Sequence, residues 1–236
     1  MLTAGVDMAA TARSTAFVAL RWTAAGAEVA DVRERCGDGT LLDLLADPAH
    51  ERVGVDVPFG WPRAFVRAVA AHAAAEPWPW RGEDSERVRR EHLRFRRTDV
   101  VAAARLRRPP MTAAFDRLGA ATARWAHLAD ELAARGVPVA RDGGGRAAEV
   151  YPAGARAVWG LGRSLAEVRA VLPVAAAPGH EARLRDEHVF DAFVAALVAR
   201  AVALGLAHPP APEDADLARE EGWLWLPEPG SLVRLR

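Results

Sequence analysis

The first part of the chain consists of short apolar runs separated by turn-forming residues, a pattern typical of β-strands. Thr3–Asp7 is the first run, and Thr15–Trp22 is rich in residues that favour strands. Ala27–Arg33 alternates between apolar and polar positions, and residues 24–26 before it suit a hairpin turn. The pattern predicts three strands in an antiparallel meander.

A short helix and a fourth strand follow. Thr40–Ala46 has the apolar spacing of a helix that ends before Pro48, and Arg52–Val57 is another apolar run, stopped by Pro58. A helix that crosses back from the third strand allows the fourth strand to pair beside the first in parallel.

The middle of the chain is helical and rich in arginine. We expect helices at Ala64–Ala75, Ser85–Arg97 and, as one or two helices, within Met111–Arg135. We interpret residues 63–136 as a helical insertion, or flanking layer, within a single domain that spans residues 1–236.

The last part of the chain adds strands and helices in mixed order. We expect a fifth strand or hairpin at Val137–Arg141 and Ala147–Tyr151, helices at Ala153–Trp159, Leu165–Leu172 and about Arg185–Leu204, and a short apolar segment, Trp223–Pro227, packed on the body. The elements together predict an α/β fold with a mixed sheet flanked by helices.

The tripeptide Gly-Val-Asp closes both the first and the fourth predicted strand, at Asp7 and Asp56. If these strands are parallel neighbours, about 4.8 Å apart, both carboxylates lie at one sheet edge. Two carboxylates that close do not both stay ionised without a cation or a shared proton. The repeat therefore indicates a metal site, although an aspartate after a strand is also a common turn cap.

Two further acids lie in apolar surroundings. Asp191 interrupts the apolar helical run from Val189 to Val198, where an unpaired charge is costly, so it needs a cation, an arginine partner or an exposed rim. Glu149 precedes Tyr151 and Pro152 at the end of a predicted strand, and it suits either a metal site or solvent.

Composition narrows the classes of protein. The single cysteine, Cys36, excludes an internal disulfide and a cysteine-rich zinc site. No apolar run approaches the roughly 20 residues of a membrane span, and the start has no signal-peptide pattern, so we expect a cytoplasmic protein without a membrane partner. Basic and acidic residues both number 31, so net charge favours no partner.

A local basic cluster stands out despite this balance. Residues 87–108 contain nine arginines against two acids, Glu91 and Asp99. Such a cluster suits the binding of phosphates. The chain has no lysine at all and an excess of arginine, so compositional bias is the alternative explanation.

Six segments, taken in order, resemble the domain-of-unknown-function family numbered 429, regarded as predicted nucleases of the ribonuclease H-like fold. They are Gly-Val-Asp7-Met-Ala, Gly-Val-Asp56-Val-Pro-Phe-Gly-Trp-Pro, Phe-Arg-Arg97-Thr-Asp99, Glu149-Val-Tyr-Pro-Ala, Phe190-Asp-Ala-Phe-Val-Ala-Ala-Leu-Val-Ala-Arg200 and Glu221-Gly-Trp-Leu-Trp-Leu-Pro227. The resemblance implies a three-strand meander plus parallel strands. It also implies metal-binding carboxylates at Asp7, Asp56 and Asp191, with His188 in the place of a further ligand.

We therefore expect a nuclease that uses Mg²⁺ or Mn²⁺ to hydrolyse nucleic acid or another phosphodiester. Asp7 would bridge two metals about 3.5–4 Å apart, and oxygen ligands suit such hard cations. Arg94 and Arg97 would bind substrate phosphates, with Asp99 orienting Arg97.

Two alternatives remain open. One is a scaffold or binding protein with the same fold and no metal. The other is a phosphotransferase of the actin-like superfold, which requires a duplicated domain and glycine-rich phosphate loops that the sequence lacks.

Overall fold

A seven-strand mixed sheet forms the centre of the molecule in the computed structural model, which describes residues 1–236. The strands are β1 Leu2–Asp7, β2 Ala16–Thr23, β3 Gly26–Glu34, β4 His50–Asp56, β5 Ala147–Val150, β6 Val174–Ala175 and β7 Leu224–Trp225. Their order across the sheet is β6-β3-β2-β1-β4-β5-β7.

The strand pairing confirms the predicted meander and crossover. β1 pairs antiparallel with β2, and β2 with β3. β4 pairs with the other side of β1 in parallel, and β5 and β7 continue the parallel part of the sheet. The register places Asp7 directly opposite Asp56 across β1 and β4.

Ten α-helices complete the α/β fold. They are α1 Asp38–Ala46, α2 Arg63–Ala73, α3 Ser85–Val88, α4 Arg97–Leu106, α5 Gly119–Ala134, α6 Pro152–Trp159, α7 Leu165–Arg169, α8 Pro178–Arg183, α9 Glu187–Ala203 and α10 Ala215–Glu221. No helix combines the length and apolar character needed to cross a bilayer.

Helices cover both faces of the sheet. α9 is buried almost all round and lies against β1, β2 and β4. On the opposite face, α1 and α5 pack side chains such as Leu41, Trp125 and Leu128 against β1 and β4. The segment predicted as an insertion therefore contributes α5 to the main core as a covering layer.

The predicted helix Ser85–Arg97 is confirmed as far as Leu93, because α3 continues directly into a π-helical segment at Arg89–Leu93, and it is wrong at its end. The helix stops there, and a new helix, α4, begins at Arg97. Arg96 adopts an extended conformation between them, and its backbone N–H donates to the Asp99 carboxylate at 3.0 Å. Burial of the Arg96 side chain with Asp99 explains the break.

Two other predicted elements are shorter than expected. Within Met111–Arg135 only α5 is helical, because the chain before it follows a loop after Pro109 and Pro110. Val137–Arg141 forms no strand, so only the second half of the predicted hairpin, β5, joins the sheet.

Candidate active site

Two aspartates meet at the carboxyl ends of neighbouring parallel strands. Asp7 is the last residue of β1 and Asp56 the last residue of β4, and they occupy paired positions. Both line an open cavity of about 540 Å³. The hypothesis that the repeated tripeptide brings two carboxylates to one sheet edge is confirmed.

The start of α9 lies over the same edge. Asp186 caps this helix by accepting hydrogen bonds from the backbone N–H groups of His188 and Val189. His188 and the exposed Glu187, in the first turn, line the cavity beside the strand ends. Asp191 follows one turn later on the same helix.

Asp7 and His188 form a close pair. His188 Nδ1 lies 2.6 Å from Asp7 Oδ2, with the Asp7 side chain 17% exposed and that of His188 44% exposed. Burial raises the pKa of Asp7 from 3.8 to about 6, although His188 acts to lower it. The carboxylates of Asp191 and Glu187 add to the increase. At neutral pH, Asp7 is therefore an ionised group in an unfavourable environment.

Asp56 is destabilised as an anion by burial and by its neighbours. Burial raises its pKa well above 3.8, and the negative charges of Asp7, Asp191 and Glu149 raise it further, whereas Arg156 lowers it. Since Asp7 and Asp191 both act on Asp56, three carboxylates from β1, β4 and α9 share one region of negative potential.

Asp191 is held by an arginine rather than exposed. Its Oδ1 lies 3.4 Å from an Nη of Arg156 on α6, and neither side chain is more than one-sixth exposed. Oδ1 of Asp191 and Nε of Arg156 are both buried without a hydrogen-bond partner. Burial raises the pKa of Asp191, while Arg156 and then Arg163 oppose that increase.

The donor chemistry of these carboxylates fits a hard divalent cation, because they are oxygen ligands and Asp191 has an unsatisfied buried oxygen. As the side chains stand, however, no three His, Cys, Asp or Glu residues are arranged to hold one metal ion. Asp7 is turned to His188 and Asp191 to Arg156. Shared coordination therefore requires these side chains to turn from their present partners.

Glu149, predicted as a metal ligand, lies in a buried ion-pair network instead. Its two oxygens accept hydrogen bonds from Arg96 at 2.6 and 2.8 Å, and one of them also accepts from the backbone N–H of Phe59 at 2.7 Å. Both oxygens are thus occupied, and Glu149 acts by fixing the loop that follows Asp56.

The expectation that Asp99 orients Arg97 is wrong, because Asp99 belongs to the same network and binds Arg96. Asp99 accepts from Arg96 Nη2 at 2.9 Å, and both side chains are almost completely buried. No local pattern distinguishes Arg96, which is buried, from the other arginines of residues 87–108.

The two arginines predicted to bind substrate do not line the carboxylate cavity. Arg97 donates to Asp214 at 2.7 Å, outside the cavity. Arg94 lies 3.7 Å from Asp116 in a neighbouring cavity. The exposed cation that does line the carboxylate cavity is Arg117, which no sequence motif distinguishes from the other arginines.

Comparisons with known proteins identify one family. A family model described as "Protein of unknown function (DUF429)" matches residues 5–215, a range that includes Asp7, Asp56 and Asp191. No curated protein and no solved structure matches the chain.

Proposed function

Because the chain belongs to the DUF429 family of proteins of unknown function, as its sequence motifs predicted, we propose a function from its own geometry. The protein is a divalent-metal-dependent hydrolase of phosphodiester bonds, a nuclease with a ribonuclease H-like fold. The order of the strands supports the fold: a three-strand meander is followed by a parallel strand beside the first.

The observation that carries the proposal is the pair of carboxylates at the ends of β1 and β4, with Asp191 on α9 near enough to raise the pKa of both although it does not line their cavity. Asp7, Asp56 and Asp191 come from β1, β4 and α9, and the pKa of each is raised above its usual value, first by burial. Carboxylates held this close repel each other and destabilise the folded state unless a cation binds between them. Mg²⁺ or Mn²⁺ would meet that need with oxygen ligands.

In this proposal Asp7, Asp56 and Asp191 would hold the metal, and a metal bound there would supply activation of water and stabilisation of the charge on the phosphodiester. His188 contacts Asp7 at 2.6 Å and Arg156 lies 3.4 Å from Asp191, and both aspartates would turn from these partners to reach a shared cation. Arg117 offers a positive charge to the substrate at the cavity wall.

The buried network of Arg96, Asp99 and Glu149 stabilises the backbone next to the site. Arg96 joins Asp99 of α4 to Glu149 of β5, and Glu149 accepts from the backbone of Phe59, three residues after Asp56. This connection limits how far the end of β4 can move, which preserves the position of Asp56 relative to Asp7.

The proposal is tested by hydrolysis of bis(p-nitrophenyl) phosphate and of labelled oligonucleotides in Mn²⁺, with chelator as the blank. Asp56→Asn and Asp191→Asn should each lower kcat/KM by about 100-fold or more, since an amide is a poor substitute for a charged ligand. Asp43→Asn is the matched control, because Asp43 is 80% exposed and does not line the carboxylate cavity. Hydrolysis that persists in chelator, or that survives both site changes, contradicts the proposal.

A second candidate is a binding protein without catalysis. The observation that favours it is that Asp7 and Asp191 already have partners, His188 and Arg156, and form no ready ligand group. In that case the aspartates are structural, and their replacement lowers stability whether or not metal is present.

A further inference from the structure

A second open cavity, of about 600 Å³, lies beside the cavity that contains the carboxylates. The two cavities share three lining residues, Pro110, Met111 and Arg117, from the loop between α4 and α5. A ligand that passes this loop can therefore contact both cavities at once.

The shared wall combines exposed apolar side chains with exposed positive charge. Met111 is 54% exposed and Phe115 is 43% exposed, although both are large and apolar. Phe115 is held by an edge-to-face contact with Phe65, whose ring centre is 5.5 Å away. The ring of Phe115 is thus fixed in place and still accessible at the second cavity.

Two arginines flank this apolar surface. Arg117 lines both cavities and forms no ion pair, whereas Arg94 lies 3.7 Å from Asp116 and has its guanidinium over the ring of Phe95, 4.9 Å from the ring centre. Arginines alone mean little in a chain so rich in them. An exposed aromatic ring that lines one cavity together with two guanidinium groups is a more specific arrangement, because it offers contacts for both bases and phosphates.

We propose that the two cavities form one groove that binds single-stranded nucleic acid, with phosphates on Arg94 and Arg117 and a base stacked on Phe115. The strand then continues past Met111 toward Asp7 and Asp56. This assignment rests on the proposed hydrolysis of phosphodiesters and specifies the form of the substrate.

The chemistry of the groove favours a single strand over a duplex. A base stacks on a protein ring only if one of its faces is free, and in a duplex both faces are covered by neighbouring bases. The acidic end of the groove, with Asp7, Asp56 and Glu187, repels phosphates when no cation is present. The Phe115 end contains a single acid, Asp116, which lies beside Arg94, so a strand bound there does not need a metal.

The test is fluorescence anisotropy in chelator, with oligothymidylate and oligouridylate of about 12 nucleotides and a duplex of the same length. We expect both the DNA and the RNA single strand to bind at least tenfold more tightly than the duplex. Phe115→Ala should weaken binding about tenfold through loss of stacking. Arg117→Ala should reduce the slope of log K against log salt by about 0.7.

The matched controls are Arg89→Ala and Val69→Ala. Arg89 is an exposed arginine on the segment that also carries Arg94, and Val69 is 50% exposed on α2; neither lines the groove. Both should bind as the wild type does. The proposed groove is contradicted if the duplex binds as tightly as the single strands or if single strands do not bind. It is also contradicted if the control variants lose as much affinity as Phe115→Ala and Arg117→Ala.

This experiment separates the groove from the catalytic proposal. Binding in chelator that depends on Phe115 and Arg117, without any cleavage in Mn²⁺, supports the groove and contradicts hydrolysis. Cleavage of bis(p-nitrophenyl) phosphate with no dependence of strand binding on Phe115 or Arg117 supports hydrolysis and overturns the groove.

Discussion

At the scale of single residues, the site depends on how the environment of each carboxylate changes its pKa. Asp7 is the clearest case, since burial raises its pKa to about 6 even with His188 beside it. The folded protein therefore keeps a proton on Asp7 at pH values where an unfolded chain has released it. Each of the three aspartates shows an increase of the same sign.

This gives a prediction for stability as a function of pH. Between pH 3.8 and about 6 the folded state binds more protons at Asp7 than the unfolded state, so the free energy of unfolding falls as pH rises. Asp7→Asn removes that contribution. From pH 4 to pH 7, urea denaturation should show the wild type losing about 2 kcal/mol relative to this variant.

A difference between the two proteins that is independent of pH, or that favours the wild type as pH rises, would show that Asp7 is a stabilised structural anion. Asp43→Asn serves as the control, because Asp43 is exposed.

Sequence reasoning located the carboxylates but not their partners. Asp7 and Asp56 were visible because each ends an apolar strand, and Asp191 because it interrupts an apolar helix. The partners Arg96 and Arg156 come from distant segments, and only the folded backbone decides which arginine is buried. Glu149 was considered as a metal ligand because its ion-pair partner, Arg96, lies far from it in the sequence and is brought next to it only by the fold.

At the scale of secondary structure, the contact of α9 with the sheet determines where the third carboxylate lies. Gly5 of β1 faces the helix so closely that a Cβ at this position would overlap the backbone of Ala192 and Ala196. Gly54 of β4 meets the backbone of Ala195 in the same way. These two glycines allow the helix that carries Asp191 to lie directly on β1 and β4.

Gly5→Ala should therefore destabilise the protein by about 3 kcal/mol or more, because the obstructing atoms belong to the helix backbone. Gly39→Ala in α1 is the matched control, since a Cβ there meets nothing within 4 Å. It should stabilise the protein by about 0.5 kcal/mol through helix propensity. Urea denaturation of both variants checks this, and equal effects would contradict the close contact.

The longer elements were predictable and the short ones were not. The meander, β4 and α9 each carry enough residues for an apolar period to be visible. β6 has only two residues, too few to show an apolar–polar alternation in the sequence. It forms because the chain after α7 returns beside β3. The break between α3 and α4 also escaped prediction, because it depends on the buried contact of Arg96 with Asp99.

At the scale of the whole molecule, helices cover both faces of the sheet, and the candidate site lies at the ends of its strands. The carboxyl ends of β1 and β4 open into a cavity, and the loop between α4 and α5 connects that cavity to a second one. The fold therefore places a cluster of acids beside a surface of arginine and aromatic residues. Such a layout suits a substrate that brings phosphates to a bound cation.

The central claim is that Asp7, Asp56 and Asp191 bind a divalent metal, and thermal unfolding at pH 7 tests it most directly. Wild type, Asp7→Asn and the control Asp43→Asn are each melted in chelator and in excess Mn²⁺. A ligand at about 100 times its Kd adds about 2.7 kcal/mol of stability. For a protein of this length that corresponds to an increase in Tm of roughly 5–10 °C.

We predict this increase for the wild type and for Asp43→Asn. Asp7→Asn should show no increase with Mn²⁺ and, in chelator, should melt no lower than the wild type, because one repelling charge is gone. If the wild type shows no metal-dependent shift, or if Asp7→Asn melts well below it in chelator, Asp7 is a structural residue and the metal site is contradicted.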